Sequence, residues 1–281
     1  MQRYSLIKTK LPREFVLLQG RGCKWRKCTF CDYYDDVSEN PYEINREVLQ
    51  QVTGKYGVLD IINSGSAPEL DEDTLSLIST IVKEKNIHTL WFEAHYLYRN
   101  QLASFAERFA PAQVKFRCGI ETFDVTLRQH WKKGVSADVT PADVAKYFSG
   151  VCLLCCTSTD TKERILSDIA IADKYFEYAS INLFCNNTTS ETRNNSLAEW
   201  FISEVYPTLK DNPKFEILLN NDDLGVGTVC DNDSSQIFLY CLMKMIIKKL
   251  SIILNCQLQK KTSLMNTYIT SSRVYITKEK S

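Results

Sequence analysis

The sequence has no surplus of charge of either sign. Lys plus Arg and Asp plus Glu each number 34, so the formal net charge is zero. Proteins that bind a nucleic-acid backbone usually carry a basic surplus, because phosphate contacts supply most of their non-specific affinity. The absence of this surplus argues against a nucleic-acid partner and favours a small-molecule substrate.

A long uninterrupted apolar run is also missing. The most apolar stretch, residues 236–255, is broken by Lys244, Lys248 and Lys249, which makes it a poor membrane span. The N-terminal stretch MQRYSLIKTKLPREF is polar and lacks the apolar region of a secretory signal peptide. We therefore expect a cytoplasmic protein with no membrane segment, in which most of the eleven cysteines are free and buried.

Short apolar runs of β type alternate along the chain with amphipathic helical patterns. This alternation implies a parallel sheet, and the lack of a GxGxxG motif favours a βα barrel, or part of one, over a Rossmann sheet. Residues 1–227 are predicted to form this α/β fold, and residues 228–281, a lysine-studded apolar helix and a polar tail, are predicted to form an appendage. The predicted strands are 14–20, 58–65, 88–96, 114–122, 150–158, 179–187 and 214–220.

The stretch GCKWRKCTFCDYYDD, residues 22–36, places Cys23, Cys28 and Cys31 just after the first predicted strand. Active sites of βα barrels form at this end of the strands. Chance clustering, a zinc site and a plant-type [2Fe–2S] site are alternatives. Zinc needs four closed ligands, and a plant-type cluster needs a fourth thiolate, for which Cys118 could serve. A further interpretation is a cluster held by three thiolates that leaves one iron open.

On these residues the chain resembles the radical SAM superfamily. Its members bind a [4Fe–4S] cluster through three cysteines after the first strand of a partial (β/α)6 barrel, and S-adenosylmethionine (SAM) chelates the fourth iron. The resemblance implies that Cys23, Cys28 and Cys31 bind the cluster, and that Phe30, just before the last cysteine, packs on the adenine. The usual C-x3-C-x2-C spacing is lengthened here by one residue between the first two cysteines.

Two further stretches correspond to the family pattern. NSGSAPELD, residues 63–71, lies where the family has a Gly-Gly-Glu-Pro turn that contacts the methionine amino group, but the glutamate is replaced. Backbone carbonyls or serine hydroxyls would then substitute for it. GIET, residues 119–122, ends the fourth predicted strand, where the family places groups that contact the ribose. The resemblance thus implies SAM contacts from Phe30, Ser64, Gly65, Ser66 and Glu121.

The ends of the other predicted strands are rich in hydrogen-bonding groups. Carboxylates beside aromatic rings suit a flat base whose N–H edge donates to an acid. These residues also have ordinary structural explanations, because tyrosines often pack in the core and a lone histidine is more often structural than catalytic. The candidate substrate-binding residues are Asp35, Glu93, His95, Tyr96, Tyr98, Arg99, Asn182 and Asn220.

A second cysteine group, formed by Cys152, Cys155 and Cys156, lies in the fifth predicted strand. It could hold a second cluster. The preferred interpretation is that these cysteines are buried small hydrophobic residues, because apolar residues surround them in the strand.

Within the superfamily, RGCKWRKCTFCDYYDD, INSGSAPELD and FEAHYLYR resemble the queuine lyase family. The resemblance implies a lyase of queuosine salvage that cleaves the C–N bond of queuine and releases 7-aminomethyl-7-deazaguanine. A 5′-deoxyadenosyl radical would abstract the substrate hydrogen, and a flavodoxin- or ferredoxin-type protein would donate the electron. Two alternatives remain: a radical SAM enzyme acting on RNA or another small molecule, and a non-enzymatic iron–sulfur electron-transfer or metal-binding protein.

Overall fold

The computed structural model describes residues 1–227, which build one eight-stranded sheet that curls into a half-barrel. Strand order across the sheet follows the sequence. The first strand is antiparallel to the second, and all other neighbours are parallel. The strands are β1 (Tyr4–Ile7), β2 (Arg13–Leu18), β3 (Val58–Asn63), β4 (Thr89–Ala94), β5 (Gln113–Glu121), β6 (Gly150–Cys155), β7 (Tyr178–Leu183) and β8 (Phe215–Leu218).

Helices cover the connections between the parallel strands. Side-chain caps define where many of them begin; for example, Asp71 accepts from the backbone N–H of Thr74, and Asp124 accepts from that of Leu127. A π-helical turn (Phe201–Val205) joins the last two helices. The helices are α1 (Pro41–Leu49), α2 (Glu72–Glu84), α3 (Leu102–Glu107), α4 (Val125–His130), α5 (Pro141–Ala145), α6 (Lys162–Tyr175), α7 (Asn195–Trp200) and α8 (Tyr206–Leu209).

The predicted α/β fold with a partial barrel is confirmed. All seven predicted strands are present, and each ends earlier than predicted because the chain turns there into the loops at the carboxyl edge. Strand β1 and helix α5 were not predicted. The appendage predicted at 228–281 lies outside the described residues and stays a prediction. No helix within residues 1–227 is long and apolar enough to cross a membrane.

A buried polar network closes the interior of the half-barrel near the amino ends of the strands; we call it the floor, formed by Arg13, Asp60, Arg117, Tyr178 and Glu216. Both terminal nitrogens of Arg117 donate to Asp60 at 2.7 Å. Arg13 donates to Asp60 at 2.8 Å and to Glu216 at 3.2 Å, and the Tyr178 hydroxyl donates to Glu216. Two cations therefore match two anions, and the floor carries no net charge.

The floor was not predicted from the sequence, although it sets the depth of the space above it. Burial alone would raise the pKa of Asp60, but the adjacent charges of Arg117 and Arg13 lower it below its ordinary value. The carboxylate is therefore held ionised inside the barrel.

Candidate active site

A cavity of about 250 Å³ lies at the carboxyl ends of the parallel strands. The thiols of Cys23, Cys28 and Cys31 line it on one side, and Arg117 and Glu216 of the floor line it from below. The cysteine loop and the strand ends therefore enclose one common space, as the barrel rule predicted.

The three loop cysteines are free and half-buried. Cys28 and Cys31 pack against an apolar cluster of Phe30, Leu127, Trp131, Leu154 and Phe184. Burial raises the pKa of the Cys28 thiol and raises that of Cys31 to about 12, against the opposing charge of Lys133. These thiols are protonated at neutral pH in the metal-free protein, and a bound metal would deprotonate them.

The arrangement of these thiols distinguishes between kinds of metal site. Within residues 1–227, no group of three His, Cys, Asp or Glu side chains converges closely enough to hold a single metal ion. In a [4Fe–4S] cube each thiolate binds a different iron, so the ligands surround the cluster and do not meet at one point. Three half-buried thiols that line one cavity provide the number of thiolates that a cluster with one open iron needs.

The residues predicted to contact SAM all line this cavity. Phe30 meets Trp131 edge to face, with ring centroids 5.3 Å apart. Ser64 Oγ accepts from the Gly20 amide at 2.8 Å, and Ser66 Oγ accepts from the His95 amide at 3.0 Å. Each hydroxyl keeps its own proton available for donation towards a ligand.

Glu121 reaches the cavity because strand β5 is irregular at its end. The pairing with β6 shifts register between Gly119 and Glu121, and Glu121 itself adopts φ 67°. Such irregularities re-aim side chains next to active sites. The carboxylate accepts from Lys133 Nζ at 2.8 Å in a buried ion pair.

Lys133 was missed by the sequence interpretation, because the local stretch HWKKG gives no sign that this lysine is buried. Burial alone would lower its pKa, but Glu121 and the nearby Cys28 thiol raise it well above its ordinary value. Its ammonium group lies 5.6 Å from the centroid of the Phe30 ring. The only signal available from sequence was the general rule that a buried Glu121 needs a cationic partner.

Glu93 enters the cavity from the end of β4. It accepts a hydrogen bond from the Cys152 thiol, with 3.4 Å between sulfur and oxygen. Burial raises the pKa of Glu93, and Glu121 adds to this rise, whereas Arg117 and Lys133 oppose it. A Cβ added at Gly119 would lie 3.3 Å from Glu93 and 3.1 Å from Glu121, so the glycine separates two carboxylates that nearly touch the same point.

Asn182, Asn220 and His95 also line the cavity. The Asn182 side-chain oxygen is buried and has no hydrogen-bond partner among the described residues. Burial, assisted by the Lys133 charge, lowers the pKa of His95 to about 4. The His95 imidazole is therefore neutral at physiological pH and acts in this site as a hydrogen-bonding group.

Four of the predicted substrate-binding residues do not line the cavity. Asp35 is exposed and pairs with Arg26 at 3.7 Å. The Tyr98 hydroxyl donates to Glu69 at 2.7 Å, and the guanidinium of Arg99 covers the Tyr96 ring at 4.7 Å. Their side chains pack and pair beside the cavity, and a role of these four residues in substrate binding stays a prediction.

The second cysteine group is confirmed as buried: Cys152, Cys155 and Cys156 are all free and inaccessible. Only Cys152 lines the cavity, through the thiol that faces Glu93. Its part in the site is that of a weak hydrogen-bond donor.

Comparisons with known proteins agree with this geometry. No protein-family model and no curated protein matches the sequence. Among solved structures, queuine lyase from Clostridium spiroforme bound to SAM and queuine matches at 41% identity and TM-score 0.77, over 81% of this chain and 100% of that chain. A crystal structure of methylornithine synthase matches at 12% identity and TM-score 0.48, over 78% of this chain and 75% of that chain.

A half-barrel whose cysteine triad follows its first parallel strand and opens onto a shared cavity defines the chain as a radical SAM enzyme. The identity of 41% extends over the full length of the Clostridium spiroforme structure. The chain therefore belongs to the queuine lyase family.

Proposed function

We propose that this chain cleaves the C–N bond of queuine and releases 7-aminomethyl-7-deazaguanine. The observation that carries the proposal is the 41% identity, over its whole length, to a queuine lyase whose structure contains SAM and queuine. We place the reaction in the cytoplasm, with a flavodoxin- or ferredoxin-type protein as the electron donor.

Cys23, Cys28 and Cys31 would hold the [4Fe–4S] cluster, and Phe30 and Glu121 would contact SAM. When bound, these cofactors supply the electron and the hydrogen abstraction that start C–N cleavage. The protein contributes position and exclusion of water. Cys28 and Cys31 pack against the apolar cluster, which would limit the access of water to the cofactor side of the cavity.

Glu93 and Asn182 would bind the deazaguanine base. Glu93 lies at the end of β4 and Asn182 on β7, so the two acceptors approach the cavity from different strands. Glu93 has a thiol as its hydrogen-bond donor among the described residues, and Asn182 Oδ1 has none there. Buried acceptors that have a weak donor or none favour a ligand with several N–H donors along one edge, as a guanine-like base has.

The cations of the cavity support a free base over a nucleotide or RNA. Arg117 gives both terminal nitrogens to Asp60, and Lys133 is paired with Glu121. His95 is neutral because its pKa is lowered to about 4, chiefly by burial. No cation that lines the cavity within residues 1–227 is therefore left to receive a phosphate.

The proposal is tested by anaerobic turnover. The protein is reconstituted with iron and sulfide, reduced, and supplied with SAM, with and without queuine, and 5′-deoxyadenosine and 7-aminomethyl-7-deazaguanine are quantified. We expect queuine to stimulate 5′-deoxyadenosine formation and to yield the deazaguanine product. The Cys31→Ala variant should lose iron and activity, and Cys155→Ala, which removes a buried thiol outside the cavity, should retain both.

Each alternative has its own outcome. SAM cleavage that queuine does not stimulate would remove the substrate assignment and leave the enzyme class intact. Iron binding without any SAM cleavage would favour an electron-transfer protein. Retention of iron by Cys31→Ala would contradict the assignment of the cluster ligands.

A further inference from the structure

The lengthened interval between Cys23 and Cys28 is Lys24-Trp25-Arg26-Lys27. It forms neither helix nor strand, and Arg26 adopts φ 42°, a left-handed conformation that is unfavourable for a residue with a side chain. Such conformations persist only where the surroundings determine them. The contacts that hold this interval therefore require an explanation.

Trp25 is held on one side of the interval. Its indole N–H donates to the Lys132 carbonyl at 2.7 Å, and its ring stacks on His95 with centroids 5.6 Å apart and planes 20° from parallel. Gly134, at φ +72°, lies under the indole, and a Cβ there would be 2.2 Å from Trp25 Cζ2. The turn at residues 131–134 thus leaves a space that the indole fills.

Three successive carbonyls of that turn act together. Trp131 O accepts from the Thr29 amide at 3.1 Å, Lys132 O accepts from Trp25, and the His95 ring contacts Lys133 O at 2.6 Å through Nε2. Since His95 Nδ1 accepts from the Leu97 amide at 3.1 Å, Nε2 carries the proton and donates. The turn therefore fixes both the cysteine loop and the ring on which Trp25 stacks.

Glu69 holds the interval on the other side. Its Oε1 accepts from the Lys24 amide at 3.1 Å and from the Tyr98 hydroxyl at 2.7 Å, and its Oε2 accepts from the Ser66 amide at 3.0 Å. One carboxylate thereby joins the cysteine loop to the turn after β3 and to the turn after β4. Charge-assisted hydrogen bonds of this kind are stronger than neutral ones.

We propose that Trp25 and Glu69 are positioning residues that grip the interval between Cys23 and Cys28 from two sides and so fix these two thiols for the cluster. This inference rests on the proposed function, because the cluster site is part of it. Both residues act through the cysteine loop. The interval with the additional residue is thereby anchored through the Lys24 amide and the Trp25 ring.

The test is the rate at which the reconstituted cluster is lost. Wild type, Trp25→Ala and Trp25→Phe are exposed anaerobically to a ferrous-iron chelator, and the visible absorbance of the cluster is followed. We expect Trp25→Ala to lose its cluster on the order of 10-fold faster than wild type, as is usual when groups that orient metal ligands are removed. Trp25→Phe keeps the stack on His95 and loses the indole N–H, so its rate should be intermediate.

The second variant is Glu69→Gln, which keeps the size of the side chain but cannot accept from all three donors. It should also lose the cluster faster and alter the EPR spectrum of the reduced cluster. The matched controls are Tyr175→Ala, at the exposed end of α6, and Glu72→Gln, an exposed carboxylate on α2. Both controls should behave as wild type does.

Melting temperatures of the metal-free proteins separate positioning from folding. We expect the melting temperatures of the variants to match those of their controls, since the interval carries no strand or helix and glutamine keeps the size of the Glu69 side chain. A fall in melting temperature well beyond that of the controls, or cluster loss at the wild-type rate, would overturn the inference. Failure of wild type itself to bind a cluster would instead refute the proposed function.

Discussion

At the scale of single residues, the carboxylates that line the cavity differ in their hydrogen-bond donors. Asp32 accepts from the backbone amide and the hydroxyl of Thr188, both at 3.1 Å. Glu121 accepts from Lys133, whereas Glu93 accepts from a thiol. A thiol is a weak donor. Among the described residues, Glu93 is therefore the carboxylate of the cavity with the weakest donor, which supports its proposed role in binding the substrate.

Replacing Glu93 by Gln tests this role directly. The amide keeps the size of the side chain and loses the charge, so hydrogen bonds to a charged acceptor worth about 1.5–3 kcal/mol are weakened. We expect KM for queuine to rise about 10- to 100-fold. At saturating SAM, the rate of SAM cleavage without queuine should be unchanged. Glu177→Gln, on an exposed ion pair with Lys115, is the control.

The pH dependence of the same reaction gives a second measurement. Burial raises the pKa of Glu93, so its carboxylate takes up a proton at a higher pH than an exposed glutamate does. The protonated group is a poorer acceptor, so KM for queuine should rise as the pH falls through this raised pKa. Glu93→Gln should lack that limb of the profile. An unchanged KM together with an unchanged profile would contradict the assignment.

At the scale of elements, five strands each contribute one side chain to the floor. Asp60 on β3 is central, because it receives Arg13 from β2 and Arg117 from β5. All three side chains are almost fully buried. Since two cations share this one carboxylate, its removal leaves both of them partly uncompensated in the interior.

We predict that Asp60→Asn lowers the free energy of unfolding by about 3–5 kcal/mol, the usual cost of removing one partner of a buried ion pair. Denaturant unfolding of the metal-free protein measures it. Glu177→Gln, at an exposed pair, should cost about 0–1 kcal/mol. A loss for Asp60→Asn as small as that of the control would show that the floor contributes little.

The sign of the pH effect follows from the direction of the shift. The pKa of Asp60 is lowered in the folded protein, so its contribution is present above the ordinary carboxyl pKa and is lost as the pH falls through the lowered value. The difference in stability between wild type and Asp60→Asn should therefore shrink in acid.

The parallel strands were predictable because most of their residues are apolar and buried, as in β2 and β6, which are buried throughout. Strand β1 was not, since all four of its residues are only half-buried. The floor was missed for a different reason, which is the distance between its residues in the sequence. Arg13 donates to Asp60, which lies 47 residues further on, and to Glu216, which lies 203 residues further on. A local pattern shows such charges only as interruptions of a strand.

In the candidate site, too, some residues could be predicted from the sequence and others could not. The cysteine loop could be nominated from the sequence, because its three cysteines lie close together just after a predicted strand, and the resemblance to the radical SAM superfamily then implied the cluster. Glu69 and Lys133 could not, because their roles depend on turns that meet only after the sheet has curled. Asp35, Tyr96, Tyr98 and Arg99 were nominated by their nearness to strand ends, but the chain turns their side chains towards partners outside the cavity.

At the scale of the whole molecule, the zero net charge and the paired cations of the cavity agree with each other. Neither the net charge of the sequence nor the cations that line the cavity within residues 1–227 favour a polyanion. The match to the Clostridium spiroforme enzyme covers 81% of this chain and all of that chain, so part of this chain has no counterpart in that structure. Residues 228–281 remain predicted to be an appendage.

We predict that KM for queuine changes less than about 2-fold between about 50 and 200 mM salt, because no phosphate contacts are made. A protein with 6–10 phosphate contacts would lose on the order of 10³–10⁵ in affinity over the same range. Turnover at both salt concentrations, with and without bulk tRNA as competitor, measures this. Steep salt dependence, or inhibition by tRNA, would favour the RNA-modifying alternative.

The lack of a side chain at Gly119 affects how binding at Glu93 and binding at Glu121 influence each other. Its bare Cα lets Glu121, on the proposed SAM side, and Glu93, on the proposed queuine side, approach the same point. Because the negative charge of Glu121 helps to raise the pKa of Glu93, a donor that engages one carboxylate relieves repulsion on the other. Linkage makes this effect reciprocal, so we predict that the proposed cofactor and the proposed substrate bind cooperatively across the point that Gly119 leaves open.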